Sequence, residues 1–110
     1  MKLPYLKNVS VPKAKLTHYL LSETHSVGSS KAKFFRRLGF DETNLDALIQ
    51  SLSKVAQEGI VKEVRKLSYG TNYAIDGTIQ TPSEETVRIT TVWFIKTRKN
   101  IPSFVTAYPV

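Results

Sequence analysis

Two polar stretches of the chain combine side chains that can transfer protons and bind anions. The first, His25–Lys31, reads His-Ser-Val-Gly-Ser-Ser-Lys, and the second, Thr106–Pro109, reads Thr-Ala-Tyr-Pro. Together they supply an imidazole, an ammonium group, hydroxyls and a phenol. These groups can move a proton or neutralise a phosphate without a metal ion. The two stretches therefore predict a site for an anionic substrate.

His25 and Lys31 are the candidates in the first stretch. An imidazole has an ordinary pKa of about 6.5, so His25 could act as base or acid at neutral pH. Lys31 falls at the start of a predicted helix, where free backbone N–H groups attract phosphate oxygens and a lysine adds a point charge. The alternatives are a histidine that only pins a loop and serines, Ser29 and Ser30, that only cap the helix.

Thr106 and Tyr108 are the candidates in the second stretch. They are two residues apart, so both point to one face of the predicted last strand. The hydroxyl and the phenol could bind a phosphate oxygen, and Tyr108 could relay a proton if its pKa fell below the usual value of about 10. The alternative is a pair of strand residues whose hydroxyls are satisfied internally. Arg88 and Thr90 would extend this site if they share its face.

Further cations follow Lys31 in the same predicted helix. Lys33, Arg36 and Arg37 continue the positive charge, and either arginine could hold a phosphate with two N–H groups. The alternative is a solvated helix face. Two separated histidines, the absence of cysteine and the lack of an acidic cluster with ligand spacing argue against a metal site. No cofactor is predicted.

The composition indicates one basic domain over residues 1–110. Lys and Arg number 16 against 9 Asp and Glu, which gives a net charge of +7. Such a charge suits RNA or an acidic protein as the partner, although a solvated basic surface is the alternative. No apolar run is long enough for a membrane span and no signal peptide is recognisable, so a cytoplasmic location without membrane contact is expected.

The hydrophobic pattern predicts an α+β fold, with three N-terminal helices followed by a four-stranded antiparallel meander. The helices are expected over about 12–21, over 31–38 with Gly39 as its end, and from a cap at Asp41 or Asn44 to Gly59. The predicted strands cover 60–67, 73–79, 87–96 and 104–108, with turns at 69–72, 81–85 and 98–100, and Trp93 is expected in the core.

Four segments carry a resemblance to a known family. Residues 25–40, 69–73 (Tyr-Gly-Thr-Asn-Tyr), 91–93 (Thr-Val-Trp) and 106–109 together resemble small bacterial proteins grouped as a domain of unknown function, some of which carry the label adhesin. The resemblance runs from Val11 to Pro109. The family itself implies no activity.

The order of helices and strands also resembles the Barnase–EndoU–colicin–RelE superfamily of metal-independent ribonucleases and toxins. That resemblance implies RNA cleavage by the substrate's own 2′-hydroxyl. His25 would then be the general base or acid, Lys31 would stabilise charge on the phosphate, Thr106 would bind a phosphate oxygen, and Tyr108 would position or protonate the substrate. The chain lacks the dense Arg/Lys sheet face of many ribosome-dependent members, which favours free RNA or tRNA.

Three hypotheses follow from the sequence. The first is a toxin-like endoribonuclease neutralised by an acidic antitoxin-like protein. The second is a noncatalytic module that binds RNA or an acidic protein, and whose binding survives His25→Ala. The third is a structural or immunity-type protein in which the polar groups only cap and pin loops. The first requires His25 and Lys31 to face Thr106 or Tyr108 across a cleft.

Overall fold

The computed structural model describes residues 1–24 and 29–110 and confirms the α+β prediction. Helical segments come first and a four-stranded sheet follows. The helical segments are α1 (Lys13–Lys15), which continues as a π-helical turn (Leu16–Leu20), α2 (Ser29–Arg37) and α3 (Leu45–Glu58), with single 3-10 turns at Leu6–Asn8 and Glu42–Asn44; the strands are β1 (Ile60–Leu67), β2 (Gly70–Gln80), β3 (Thr86–Lys96) and β4 (Ser103–Pro109).

The sheet is an antiparallel meander in the order β1-β2-β3-β4. Its inner face packs against α3, and it buries the alternate residues Ile89, Thr91 and Trp93 of β3, as the period of that strand predicts. The indole N–H of Trp93 donates to Thr91 Oγ1 at 2.8 Å, and that hydroxyl donates to the Ile75 carbonyl at 3.2 Å. The polar atom of the largest core side chain is therefore satisfied.

Helix α3 begins and ends where the sequence predicts. The Asp41 carboxylate accepts a hydrogen bond from the Thr43 backbone N–H, and Asn44 Oδ1 accepts one from the Asp41 N–H, each at 2.8 Å. Asp41 thus caps the 3-10 turn that leads into α3, and Asn44 supports it instead of competing with it. At the other end Gly59 donates to the Val55 carbonyl at 2.9 Å.

Helix α2 ends at Gly39 in a Schellman arrangement. The Gly39 N–H donates to the Arg36 carbonyl at 2.9 Å, and the Phe40 N–H donates to the Phe35 carbonyl at 3.1 Å. Gly39 has φ +97°, which disfavours any residue with a Cβ. The helix starts two residues earlier than predicted, because Ser29 and Ser30 already belong to it.

The first helical segment is not a regular helix over 12–21. Only Lys13–Lys15 is α-helical, and the Leu21 N–H then donates to the Leu16 carbonyl at 2.7 Å, five residues back. This wider turn buries Leu16, Leu20 and Leu21 completely. Tyr19 is only partly buried, although a spacing of three residues from Leu16 would place both on the same side of a regular helix.

The predicted turn at 69–72 is wrong, since the connection between β1 and β2 is a two-residue turn at 68–69 and Gly70–Asn72 already lie in β2. The reason is packing of the start of β2 against β3. A Cβ on Gly70 would collide with the Phe94 ring and lie 2.7 Å from the Ile95 carbonyl oxygen, so only glycine lets β3 approach here.

Two further points bear on the sequence predictions. His25 and the rest of the 25–28 segment lie outside the described residues. Within the described part of the chain, every helix is too short or too polar for a membrane crossing.

We predict that Gly39→Ala lowers the free energy of unfolding by about 1–2 kcal/mol, because alanine pays the steric cost of the left-handed conformation. The new methyl group would also lie 2.9 Å from Pro82 Cβ. Urea unfolding followed by circular dichroism measures the change. Gln57→Ala, on the exposed side of α3, is the control and should leave stability within about 0.5 kcal/mol. Equal stability of the Gly39→Ala variant and the wild type would contradict this account.

Candidate anion-binding site

Three side chains from three elements meet at the phenol oxygen of Tyr19. The Lys31 ammonium donates to Tyr19 Oη at 2.9 Å, and Tyr19 Oη lies 2.9 Å from Thr106 Oγ1. Lys31 belongs to α2 and Thr106 to β4, so the phenol connects the π-helical turn with both. Two of the four residues that the sequence singled out as catalytic, Lys31 and Thr106, therefore lie at one point. We call Tyr19, Lys31 and Thr106 the tyrosine cluster.

Arg36 holds helix α2, which also carries Lys31, against the neighbouring segments. Its guanidinium donates to the Leu21 carbonyl at 3.0 and 2.7 Å and to the Glu42 carboxylate at 3.0 and 2.5 Å. A further carboxylate, that of Glu23, lies 3.3 Å from Nε. These contacts tie the end of the π-helical turn to α2 and to the turn before α3. They commit Arg36, a candidate for substrate binding, to the fold.

Positive charge gathers around the ring of Tyr19. The ammonium groups of Lys15 and Lys31 lie 5.0 and 5.5 Å from its centroid, within the range of cation–π attraction. Among residues 1–24 and 29–110, neither lysine forms an ion pair with a carboxylate. Because no carboxylate among the described residues balances these two cations, the tyrosine cluster is a candidate site for an anion.

The same charges act on the phenol itself. Burial raises the pKa of Tyr19, but the hydrogen bonds from Lys31 and Thr106 and the charges of Lys31 and Lys15 outweigh it, so the pKa lies below the usual 10.0. The neutral phenol accepts from Lys31 and can donate to Thr106. In that arrangement the Thr106 hydroxyl proton and two of the three ammonium protons of Lys31 have no acceptor among the described residues.

Thr106, Tyr108, Thr90 and Arg88 share the outer face of the sheet. The register pairs Thr90 with Tyr108 and Val92 with Thr106, so the alternate residues of β3 and β4 point to the same side. Tyr108 is exposed and borders a hollow of about 180 Å³. The prediction that Thr106 and Tyr108 share one face of the last strand is therefore confirmed. Tyr108 does not take part in the hydrogen bonds of the tyrosine cluster. The hollow is lined by Glu63, Arg65, Asn72, Ala74, Val92 and Tyr108.

Thr90 and Arg88 are bound to a carboxylate of the neighbouring strand. The buried Thr90 hydroxyl donates to Asp76 Oδ1 at 2.6 Å and accepts from Lys62 Nζ at 3.1 Å. Lys62 and Arg88 also lie 3.0 and 3.6 Å from the Asp76 carboxylate. Burial raises the pKa of Asp76, but the hydrogen bonds from Thr90 and Lys62 and the two positive charges lower it more. This carboxylate therefore neutralises Arg88, which the sequence assigned to the substrate, together with Lys62.

The remaining sequence candidates lie on the exposed side of α2. Lys33 is exposed. Arg37 is 62% exposed at its side chain, with Glu85 at 4.0 Å and the Phe34 ring centroid at 5.7 Å. Both side chains are exposed, which fits a role in substrate binding and the alternative of a solvated helix face equally well. His25 lies outside the described residues, and its role stays a prediction.

Tyr19 and Lys15 are the members of the site that the sequence analysis missed. Tyr19 lies three residues after Leu16, a spacing typical of the apolar side of a helix, and therefore gave no sign of a functional role. The spacing of Lys15 and Tyr19, four residues apart, was the available signal for a cation over a ring. Within the part of the chain that the structure describes, no three His, Cys, Asp or Glu side chains come close enough to hold a metal ion.

We predict that one tyrosine of the wild-type protein ionises below pH 10 and that Tyr19→Phe removes this step. Lys31→Gln should raise the pKa of Tyr19, whereas Lys33→Gln in the same helix should not change it. Because the pKa is lower in the folded chain, the stability of wild type relative to Tyr19→Phe should rise as the pH increases towards 10. Absorbance at 295 nm during alkaline titration measures the step, and an unchanged titration in Tyr19→Phe would contradict the assignment.

We predict that Asp76→Asn destabilises the protein by about 1–3 kcal/mol at pH 7, because two cations and a buried hydroxyl lose a charged acceptor. The folded carboxyl has the lower pKa, so its contribution is complete above the unfolded value of about 3.9 and disappears as the pH falls through the folded value. The difference between wild type and Asp76→Asn in urea unfolding should therefore shrink below pH 4. A difference that is constant down to pH 2 would contradict the predicted linkage.

Comparison with solved structures identifies a neighbour for this fold. A chain from the "Contact-dependent growth inhibition toxin - immunity protein complex from Klebsiella pneumoniae 342" superposes with a TM-score of 0.71. The two chains are 16% identical, and the match covers 91% of this chain and 98% of the other. At that identity the likeness establishes a shared fold. No curated protein matches the chain.

Comparison with family models identifies one family. The model of DUF6883, described as a domain of unknown function, matches residues 2–110. The match includes every residue of the tyrosine cluster and the whole sheet, and it confirms the resemblance to a family of unknown function. The chain therefore belongs to the DUF6883 family.

Proposed function

We propose that this domain is a toxin-type ribonuclease that cleaves RNA through the substrate's own 2′-hydroxyl, with an acidic protein as its inhibitor. One observation carries the proposal. The Lys31 ammonium and the Thr106 hydroxyl, which are 75 positions apart in the chain, both contact the phenol oxygen of Tyr19. A cation and a hydroxyl at one point, beside an open sheet face, could bind the non-bridging oxygens of a phosphodiester.

The tyrosine cluster would bind the scissile phosphate. Lys31 donates to one non-bridging oxygen, where negative charge grows as the phosphorus becomes five-coordinate. Thr106 donates to the other. Lys15 adds positive charge without a direct bond. Stabilisation of this kind is most effective where donors are already oriented, and Tyr19 holds both donors in place.

The chemical step transfers two protons. The 2′-oxygen attacks phosphorus as a base takes its proton, and the bond to the 5′-oxygen breaks as an acid gives that oxygen a proton. The products are a 2′,3′-cyclic phosphate and a free 5′-hydroxyl. We assign proton transfer to His25, which stands four residues before α2, and positioning or protonation of the substrate to Tyr108 on the shared outer face.

Further cations would hold the rest of the RNA strand. Lys33 and Arg37 are exposed on α2, and Arg88 is 64% exposed on the outer face despite its contact with Asp76. Thr90 would contribute through its hydrogen bonds with Lys62 and Asp76, the carboxylate that Arg88 also contacts. Contacts of this type give affinity that falls steeply with salt and depends little on base sequence. Free RNA or tRNA is therefore the proposed substrate.

The inhibitor is inferred from charge and from the structural neighbour. The chain carries a net charge of +7, which favours an acidic partner. The neighbouring structure is a complex of a toxin with an immunity protein. We expect that a protein of the antitoxin or immunity kind covers the basic site, and that expression of the domain alone slows growth.

The proposal predicts that the purified domain cleaves RNA in the presence of EDTA and leaves 2′,3′-cyclic phosphate ends. Lys31→Ala and Thr106→Val should each reduce the rate, the first by about 100-fold or more, because they remove donors to the phosphate. Denaturing gels and end-group analysis of tRNA substrates measure both. Lys54→Ala on α3, which removes an equal charge far along the chain, is the control and should keep the wild-type rate.

His25→Ala separates catalysis from binding. A ribonuclease loses cleavage in this variant while its affinity for RNA stays within about twofold. A noncatalytic module binds RNA equally well in both forms and cleaves in neither. If wild type leaves RNA intact at every salt concentration and does not slow growth without a partner, the ribonuclease proposal is wrong.

A further inference from the structure

A second hollow on the outer face lies beside the tyrosine cluster, at the end of the sheet where β1 turns into β2. Its volume is about 320 Å³, near the lower limit for sites that hold a small ring system. We call it the aromatic hollow. It is lined by Lys15, Leu67, Tyr69, Asn72, Phe94, Ser103, Phe104 and Val105.

Two of the aromatic residues that line the hollow, Tyr69 and Phe94, are in contact with each other. The rings of Tyr69 and Phe94 have centroids 5.6 Å apart and planes inclined by 50°. Tyr69 is 61% exposed, although aromatic side chains usually bury most of their surface. The turn that carries Tyr69 is kept tight by Gly70, which leaves room for Phe94 against the backbone. The fold thus holds an exposed ring in a defined place.

An amide stands between the rings and the rest of the outer face. Asn72 lines both the aromatic hollow and the neighbouring hollow that Tyr108 borders. Its Oδ1 is buried and has no hydrogen-bond partner among the described residues. Such an atom is costly when it stays unpaired, so a ligand with N–H groups at its edge suits this position better than an aliphatic side chain.

Lys15 connects the hollow to the tyrosine cluster. It lines the aromatic hollow, and its ammonium lies 5.0 Å from the ring centroid of Tyr19. A ligand with a flat polar ring in the hollow would therefore carry any attached negative charge towards Lys15 and Lys31. A nucleotide unit of RNA combines these two parts, a base that stacks on aromatic rings and a phosphate.

We propose that the aromatic hollow binds a nucleobase of the RNA strand whose phosphate occupies the tyrosine cluster. The inference rests on the proposed function and adds a base subsite to it. Tyr69 stacks on the base, Phe94 supports Tyr69 from the side, and the Asn72 amide contacts the base edge. The same hollow could receive an apolar side chain of a protein partner, and the experiment distinguishes the two.

The test measures binding without cleavage. The probes are a 2′-O-methyl RNA octamer of mixed sequence, which lacks the attacking hydroxyl, and an abasic octamer with the same backbone charge. Fluorescence anisotropy at fixed salt gives both affinities. The variants are Tyr69→Leu, which removes the stacking ring, and Tyr5→Leu, which removes another exposed tyrosine outside the hollow.

The base subsite requires that Tyr69→Leu weaken binding of the mixed octamer by roughly tenfold. Binding of the abasic octamer should stay unchanged, and Tyr5→Leu should bind both probes as wild type does. Lys31→Ala should weaken binding of both probes, because it acts on the phosphate.

Two results would overturn the base subsite. If wild type binds both octamers equally and Tyr69→Leu changes neither affinity, the hollow holds no base while the ribonuclease proposal stands on its cleavage assay. If Tyr69→Leu instead weakens binding of a protein inhibitor and leaves RNA binding unchanged, the hollow is a protein contact. Failure of wild type to bind or cleave any RNA overturns the proposed function together with the subsite.

Discussion

The phenol oxygen of Tyr19 is the point on which the arrangement of this molecule depends. It joins Lys31, 12 residues further along the chain, and Thr106, 87 residues further along, so that the helical half and the last strand of the sheet share one hydrogen-bonded contact. The Lys31 ammonium needs an acceptor, and the phenol oxygen provides one while it also contacts the Thr106 hydroxyl. The phenol supplies an acceptor and a donor at the same atom.

The π-helical turn makes this contact possible. In a regular helix, Leu16, Tyr19 and Leu20 would lie on one side, and the phenol would point into the core with the leucines. The wider turn keeps Leu16 and Leu20 fully buried while Tyr19 reaches β4. The departure from regular geometry is thus stabilised by leucine burial on one side and by two hydrogen bonds on the other. Such turns are frequent at functional sites.

The regular parts of the fold could be predicted because short patterns and single residues in the sequence determine them. The alternation of β3, the cap at Asp41 and the end of α2 at Gly39 are local properties, and the structure confirms all three. The β1–β2 turn was misplaced because the need for glycine at position 70 comes from Phe94, which lies in the following strand, β3. Long-range packing decided the position of that turn.

The site was predictable only in part, for a related reason. The strand period places Thr106 and Tyr108 on one face, and Lys31 falls at the start of α2, but no pattern shows that Tyr19 lies between them. Nor does the sequence reveal which cations are neutralised. Arg36 and Arg88 looked as suitable for substrate as Lys31, yet carboxylates contact both arginines and none contacts the lysine among the described residues. Pairing of charges depends on side-chain positions in the folded chain.

The position of Lys15 has a consequence for inhibition. This one side chain borders both the tyrosine cluster and the aromatic hollow. An acidic partner that places a carboxylate on Lys15 would compete with phosphate on one side and close the hollow on the other. A small contact area would then suffice to cover both proposed RNA subsites. Inhibition of this kind would need no change in the fold, since Lys15 borders both the tyrosine cluster and the aromatic hollow.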